Sequence, residues 1–131
     1  MVVTNKFVTE RGRIYPSPNE EGVVWIPLNK GLAKCNLKTN ELMTYVKDEF
    51  IEQMAFGKAA PGNSVPTGFA IGKINGVEGI FRSLDGCATW ERINDVKTGF
   101  GTGERIEGDP RIFGRVYLGT NGRGVIYGDP K

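Results

Sequence analysis

The chain has 131 residues, enough for one domain with a buried core of its own. Its 17 basic and 15 acidic side chains leave a net charge of +2, which is too small an excess to indicate a nucleic-acid or membrane surface. Histidine is absent, which excludes histidine-based catalytic triads and most zinc sites. The 19 glycines are about twice the usual share and, with 7 prolines, indicate short strands joined by tight turns.

The N-terminus shows no targeting signal. The segment MVVTNKFVTERGRIYP carries a charge every few residues and has no apolar stretch of signal-peptide length. The longest uncharged apolar run, 23–28, is far too short to cross a bilayer. We therefore expect neither a signal peptide nor a membrane span within this chain.

Short apolar runs predict strands along the rest of the chain. These runs are Val23–Leu28, Met54–Gly57, Gly68–Ile74, Gly79–Ser83, Arg115–Gly119 and Gly124–Gly128. Glycine-containing turn signals separate them, at 29–31, 75–76, 85–86 and 121–122. The stretch 47–54 has some helical character but could equally begin a strand, and the proline-containing segment 59–66 is predicted to be a loop.

Three hairpin-like segments resemble one another: VVWIPLNKGLAKC, FAIGKINGVEGIFRS and RVYLGTNGRGVIYG. Their second-strand glycines, Gly31, Gly79 and Gly124, are 48 and 45 residues apart. A hairpin repeat of about 40–50 residues is typical of β-propeller blades, which have four strands each. We predict an all-β chain of two to three four-stranded antiparallel blades, part of a seven-bladed propeller, with repeats at about 20–46, 50–95 and 102–130. A single β-sandwich or a short solenoid has the same alternation and stays an alternative.

The segment 83–90 matches the pattern S-x-D-x-x-x-T-W of the Asp-box, a turn between the outer strands of some propeller blades. The side chains of Ser83 and Asp85 can accept hydrogen bonds from backbone N–H groups of the loop, while Thr89 begins the return strand and Trp90 covers the turn. Cys87 stands where the pattern usually has glycine, which permits positive φ. We interpret the motif as structural, because its own hairpin occupies the oxygens of Asp85.

Two segments carry a resemblance to a known family. Residues 54–95, beginning MAFGKAAPGNSVPTGFAIGK, and residues 108–130, GDPRIFGRVYLGTNGRGVIYGDP, resemble the C-terminal part of glycoside hydrolase family 74, the xyloglucanases with two tandem seven-bladed propellers. The resemblance covers about residues 20–131. It implies an extracellular parent enzyme that cleaves the β-1,4-glucan backbone of xyloglucan with inversion, using one aspartate as acid and another as base.

The local patterns that carry those aspartates are absent from this sequence, so the resemblance transfers no catalytic residue. The aspartates of the two Gly-Asp-Pro triplets, Asp109 and Asp129, are predicted to cap turns. We expect no catalytic residue, no cofactor and no metal site, and we expect the chain alone to be inactive. The leading hypothesis is a non-catalytic C-terminal segment of a xyloglucanase; a free-standing carbohydrate-binding module and a protein-interaction domain are the alternatives.

Aromatic side chains are the other route to sugar binding. Trp25 and Tyr117 lie in apolar runs and are predicted core residues, whereas Phe113 and Tyr15 are the more exposed candidates for sugar contacts. Arg123 could add hydrogen-bond donors. The expected ligand is xyloglucan or another β-glucan.

A stack of two or three blades leaves apolar faces and unpaired edges. We therefore expect the chain to associate with itself, as a homo-oligomer or by strand exchange, or with missing upstream blades. No nucleic-acid or membrane partner is expected. The two cysteines, Cys35 and Cys87, occupy non-equivalent positions in the repeats and are expected to be free thiols.

Overall fold

The computed structural model describes residues 13–94, 103–120, 122 and 124–130. Within these residues all regular structure is β, arranged in three consecutive antiparallel sheets. The first sheet has four strands in chain order: β1 (Tyr15–Pro16), β2 (Val23–Pro27), β3 (Leu32–Asn36) and β4 (Glu41–Tyr45).

The second sheet repeats this order over longer strands. It contains β5 (Phe50–Gly57), β6 (Thr67–Ile74), β7 (Val77–Ser83) and β8 (Glu91–Arg92). The helical alternative for 47–54 is wrong, because β5 begins at Phe50 and pairs with β6 from Phe50 to Gly57, interrupted only by a bulge between Ile51 and Gln53. Two large side chains, Ile51 and Met54, are buried by this pairing, which a short exposed helix would not achieve.

The third sheet has three strands in the described residues: β9 (Gly103–Gly108), β10 (Val116–Thr120) and β11 (Val125–Gly128). The predicted all-β class with antiparallel four-stranded sheets is confirmed. The sheets span 15–45, 50–92 and 103–128, beside predicted repeats at 20–46, 50–95 and 102–130. The first sheet begins earlier than its predicted repeat because β1 pairs with β2, placing Tyr15 opposite Trp25.

The β6–β7 hairpin shows how turn chemistry sets these boundaries. Asn75 and Gly76 both adopt positive φ, 53° and 76°, as a two-residue hairpin turn requires. The register then runs from Ile74 opposite Val77 to Gly68 opposite Ser83 without interruption. This register fixes, for each side chain of the hairpin, which of the two faces of the second sheet it points to.

The core between the first and second sheets is built around Trp25 and Leu32, which are 2% and 0% exposed. They pack against buried residues of the second sheet and of the loop after it: Ile51, Met54, Ala70, Ile74, Phe81 and Cys87. The Trp25 ring lies 5.2 Å from that of Tyr45, and its indole N–H donates to the Ser17 hydroxyl at 3.1 Å. The prediction that Trp25 belongs to the core is therefore confirmed.

A second core lies between the second and third sheets. Phe69, which is fully buried, packs with Ala55 against Ile106, Val116 and Leu118. Because side chains alternate along each strand, Phe69 and Ala70 point to opposite faces of β6. The second sheet is thus covered on both faces, while the first and third sheets each bury one face against it.

Glycine allows the second and third sheets to approach closely at their first strands. A Cβ on Gly108 would lie 2.6 Å from the Phe56 carbonyl oxygen. The backbone N–H of Lys58 donates to the Asp109 carbonyl at 3.0 Å just beyond this contact. The first strands β5 and β9 are therefore held side by side, and their edges form one surface with β1.

Candidate functional site

A groove of about 270 Å³ crosses the first strands of the three sheets, β1, β5 and β9. Its volume is close to the lower end of small-molecule sites, which hold roughly 300–1,000 Å³. All three sheets contribute to its lining, which consists of Arg13, Ile14, Tyr15, Gln53, Met54, Arg105, Ile106 and Glu107. We take this groove as the candidate functional site because it combines an aromatic ring with donors and acceptors of hydrogen bonds.

A β-bulge in β5 shapes the floor of the groove. The register with β6 shifts between Ile51 and Gln53, so that Gln53 pairs with Ile71. Gln53 is a polar residue that is only 4% exposed, and it lines the groove beside Met54. Its side-chain amide contains both a donor and an acceptor group, in a lining that also includes the apolar Met54 and Ile106.

Charged side chains surround that floor. Arg13 is half-buried, whereas Arg105 and Glu107 are exposed on β9. Among the described residues, none of the three forms a salt bridge within 4.0 Å. A guanidinium group donates pairs of hydrogen bonds and a carboxylate accepts them. Groups of these two kinds can therefore bind the hydroxyls and carboxylates of a sugar.

The predicted sugar contacts do not come together. Tyr15 lies in the groove, half-buried on β1. Phe113 belongs to the loop between β9 and β10, is half-buried there, and does not line the groove. Arg123 lies outside the described residues. Arg105 and Gln53 were not predicted, since nothing local in the sequence shows that β5 and β9 adjoin.

The Asp-box segment forms a compact loop between β7 and β8. The Ser83 hydroxyl accepts from the Cys87 N–H at 2.9 Å, and Asp85 accepts from the Ser83 hydroxyl and from the Thr89 N–H, each at 2.9 Å. The Thr89 hydroxyl donates to the second oxygen of Asp85. Trp90 is half-buried and donates its indole N–H to the Cys87 carbonyl at 3.0 Å.

Two details of this loop differ from expectation. Thr89 precedes the return strand, which begins only at Glu91, because both its N–H and its hydroxyl are directed at Asp85. Cys87, where the pattern usually has glycine, keeps the left-handed backbone with φ 72° although it carries a side chain.

The pKa values of Asp85 and Cys87 make both groups unsuited to acid–base chemistry at neutral pH. Partial desolvation acts to raise the pKa of Asp85, but the hydrogen bonds from Thr89 and Ser83 outweigh it and hold that pKa below its ordinary value. Burial, together with the nearby Asp85 charge, raises the pKa of the Cys87 thiol to about 12. Both Cys35 and Cys87 are buried and free, and at neutral pH Cys87 is an un-ionised thiol without nucleophilic character.

A second polar cluster connects the loop after β9 with β10 and the end of β11. Asp109 is 4% exposed; it accepts from the Tyr117 hydroxyl at 2.6 Å and from the N–H groups of Arg111 and Ile112 at 2.7 and 3.0 Å. Asp109 therefore caps its turn as predicted. Asp129 forms a two-point ion pair with Arg115, at 2.8 and 3.0 Å, and the turn that it was predicted to cap extends beyond the described residues.

Hydrogen bonds set the protonation of this cluster. The Tyr117 hydroxyl, with the backbone N–H of Arg111, lowers the pKa of Asp109, and hydrogen bonding from Arg115 lowers that of Asp129. The Asp109 carboxylate in turn raises the pKa of Tyr117. A general acid needs a raised carboxyl pKa, so neither aspartate has the environment of one.

No group of three or more cysteine, aspartate and glutamate side chains in the described residues is placed to hold a metal ion. The described part of the chain contains no helix long and apolar enough to span a membrane.

Comparison with known proteins gives consistent matches. The chain is 42% identical over 120 residues to a xyloglucanase of Acetivibrio thermocellus, covering 90% of this chain and 14% of the relative. It is 52% identical over 82 residues to a xyloglucanase of a Paenibacillus species, covering 63% of this chain and 8% of the relative. No family profile matches.

Comparison of the fold with solved structures also finds a xyloglucanase. The crystal structure of a glycoside hydrolase family 74 xyloglucanase from Xanthomonas campestris superposes with a TM-score of 0.79 at 38% identity, covering 93% of this chain and 17% of that one. The chain thus spans less than a fifth of the length of each of these proteins.

Proposed function

This chain carries the sequence and fold of a portion of a glycoside hydrolase family 74 xyloglucanase, and on that premise we propose that it is a non-catalytic part of such an enzyme. In this role it corresponds to the C-terminal end, serves as scaffold and forms part of the wall of the substrate cleft. The observation that carries the proposal is the 42% identity over 120 residues, which runs through all three sheets rather than one motif. The same resemblance supports an extracellular location.

The environment of the carboxylates supports the non-catalytic role. Inverting glycosidases use a protonated carboxyl as acid and an ionised one as base, about 6.5–9.5 Å apart. Asp85, Asp109 and Asp129 all have lowered pKa values and are held by hydrogen bonds to their own loops or to Arg115. They stabilise turns and strand ends, and none of them is suited to protonate a leaving group.

Release of reducing sugar from xyloglucan tests this role directly. The purified 131-residue chain is expected to release none above the buffer blank, while an intact xyloglucanase assayed in parallel releases it readily. Release that disappears in Glu107→Gln, the carboxylate of the groove, would overturn the proposal.

The groove favours a second candidate function, a carbohydrate-binding module. Tyr15, which also packs against the core between the first two sheets, lines the same space as the arginines and the carboxylate. Stacking of a sugar on an aromatic face, with polar side chains around it, is a common way to bind a neutral saccharide. This function requires affinity without hydrolysis.

Calorimetric titration with xyloglucan oligosaccharides separates the two functions. For a binding module, Tyr15→Ala abolishes the heat of binding, Tyr15→Phe retains it, and Ile112→Ala, an exposed loop substitution outside the groove, has no effect. An absence of binding heat at millimolar oligosaccharide would leave the scaffold role as the better description.

A further inference from the structure

The tight turn between β6 and β7 consists of an asparagine followed by a glycine, Asn75 and Gly76. Both residues have positive φ, 53° and 76°, and both are exposed. Within the described residues, neither the side-chain amide of Asn75 nor the backbone N–H of Gly76 forms a hydrogen bond. The carboxamide of Asn75 and the nitrogen that follows it in the chain are therefore not held by other groups of the described chain.

Four other asparagines show what is particular to Asn75. The side-chain oxygens of Asn63 and Asn94 accept hydrogen bonds from the backbone N–H groups of other residues, at 3.0 and 2.8 Å. Asn19 and Asn40 are exposed and have the same left-handed backbone as Asn75, with φ 62° each, but a glutamate follows both of them. Of these five asparagines, only Asn75 combines exposure, an unbonded amide and a following glycine.

That combination favours attack of the backbone nitrogen on the side-chain carboxamide. In this step the Gly76 nitrogen loses its proton to water and forms a bond to Cγ of Asn75. The side-chain nitrogen takes up a proton and leaves as ammonia, so that a cyclic succinimide remains. Water then opens the ring at either carbonyl and gives aspartate or isoaspartate, whose backbone runs through Cγ. A following glycine favours ring closure because it has no Cβ to crowd the approach of its nitrogen.

We propose that Asn75 is a modification site, at which the folded chain deamidates without an enzyme and with water as the only co-reactant. Asparagine is among the residues that are chemically labile in proteins. A Cβ at Gly76 would meet no atom within 4 Å, so the succinimide has room to form at this turn. The sequence has a second Asn-Gly pair at 121–122, and Asn121 lies outside the described residues.

Deamidation at Asn75 alters a contact that connects the first two sheets. The Glu49 carbonyl accepts from the Gly31 N–H at 2.6 Å, and the Glu49 carboxylate accepts from the Asn75 N–H at 3.0 Å. An aspartate at position 75 places a second carboxylate near that of Glu49, and like charges repel. Isoaspartate lengthens the backbone of a two-residue turn whose register sets Ile74 opposite Val77. Both products therefore weaken the link through Glu49. This inference goes beyond the proposed function, since it involves no sugar.

Peptide mapping measures the modification at each asparagine separately. Trypsin cleaves after lysine and arginine, so Asn75 falls in the fragment 74–82, Asn40 in 39–47 and Asn121 in 116–123. The folded chain is incubated in mildly alkaline buffer, and mass spectrometry follows the conversion of each fragment to its acidic form. The fragment 74–82 is expected to convert at least ten times faster than 39–47, because glutamate follows Asn40. Equal rates in these two fragments would overturn the proposal.

Two matched alanine substitutions test the role of the following glycine. Gly76 and Gly62 have φ of 76° and 77°, and a Cβ at either position would meet no atom within 4 Å. Gly76→Ala and Gly62→Ala therefore impose a similar backbone strain in two separate turns. Gly76→Ala is expected to slow conversion of the fragment 74–82 at least tenfold, whereas Gly62→Ala leaves its rate unchanged. If the two variants have the same rate, the glycine at position 76 does not direct the reaction and the proposal is wrong.

Urea unfolding at pH 7 tests the effect of the new charge. Asn75→Asp reproduces one product of the reaction and is expected to lower the urea midpoint. Glu49→Gln keeps a hydrogen-bond acceptor without the charge, so in that background Asn75→Asp is expected to lower the midpoint by less than half as much. An equal decrease in both backgrounds would show that the two carboxylates do not interact, and would overturn the effect proposed for the modification.

Discussion

At the scale of single residues, the Asp-box loop shows how side chains can fix a backbone that its sequence does not favour. Cys87 adopts φ 72°, a conformation that costs a residue with a Cβ about 1–2 kcal/mol. The loop holds it there because its N–H donates to Ser83 at 2.9 Å and its thiol is buried, 1% exposed, in the core between the first two sheets.

The strain at Cys87 can be separated from its packing by two substitutions. Cys87→Ala keeps the Cβ at positive φ and loses the buried sulfur, so we expect it to be about 1 kcal/mol less stable than the natural chain. Cys87→Gly loses the same sulfur but relieves the backbone, and we expect it to be about 1 kcal/mol more stable than the alanine variant. Urea unfolding followed by tryptophan fluorescence measures both, and an alanine variant that is more stable than the glycine variant would contradict this account.

Local spacing made part of the site predictable. The hydrogen bonds of Ser83 and Asp85 run to residues four positions away, and the turn cap of Asp109 spans two to three, so the residue pattern alone contains their geometry. The ion pair between Arg115 and Asp129 spans 14 residues and depends on how β10 pairs with β11. No short motif encodes such a distance, so the sequence pattern around Asp129 does not predict this ion pair.

At the scale of elements, strands that form a local apolar pattern could be predicted, whereas strands that depend on pairing with distant residues could not. Apolar runs with turn residues at their ends predicted β2, β6, β7, β10 and β11 to within a few residues. The strand β4 has four exposed residues out of five, and three of the six residues of β9 are charged, so neither forms an apolar run. They are strands because they pair with β3 and β10, which is tertiary information.

Close packing of elements predicts a contrast between two glycines. Gly108 and Gly128 both pair with Val116, on opposite sides of β10. A Cβ on Gly108 would lie 2.6 Å from the Phe56 carbonyl oxygen, while a Cβ on Gly128 would meet no atom within 4 Å. Gly108→Ala must push the second and third sheets apart and is expected to cost about 2–3 kcal/mol; Gly128→Ala is expected to change stability by less than about 0.5 kcal/mol.

Urea denaturation of the two glycine variants supplies the measurement, with the natural chain as reference. Equal midpoints for Gly108→Ala and Gly128→Ala would show that the contact between β5 and β9 is not as close as described. The comparison is well matched, since both variants add one methyl group in the same row of the same sheet.

At the scale of the whole molecule, three aspartates in separate places share one electrostatic property. Hydrogen bonds hold the pKa of Asp85, Asp109 and Asp129 below the ordinary aspartate value of 3.8. Asp85 fixes the loop between β7 and β8 of the second sheet. Asp109 connects the loop after β9 to β10, and Asp129 connects the end of β11 to the residue that precedes β10. Protonation therefore weakens the second and third sheets together rather than at one position.

This property predicts a dependence of stability on pH in the acid range. A carboxyl group with a lowered pKa stabilises the folded chain above its unfolded pKa, and that contribution is lost as the pH falls through the folded one, because the unfolded chain binds the proton first. We expect the urea midpoint to be level from pH 7 to about 5 and to fall steeply below about pH 4. The variant Asp109→Asn should be less stable at pH 7 and should lose less on acidification, since it takes up one proton fewer on unfolding. A midpoint that stays level down to pH 2.5, or an unchanged acid slope in Asp109→Asn, would show that these hydrogen bonds do not stabilise the folded chain.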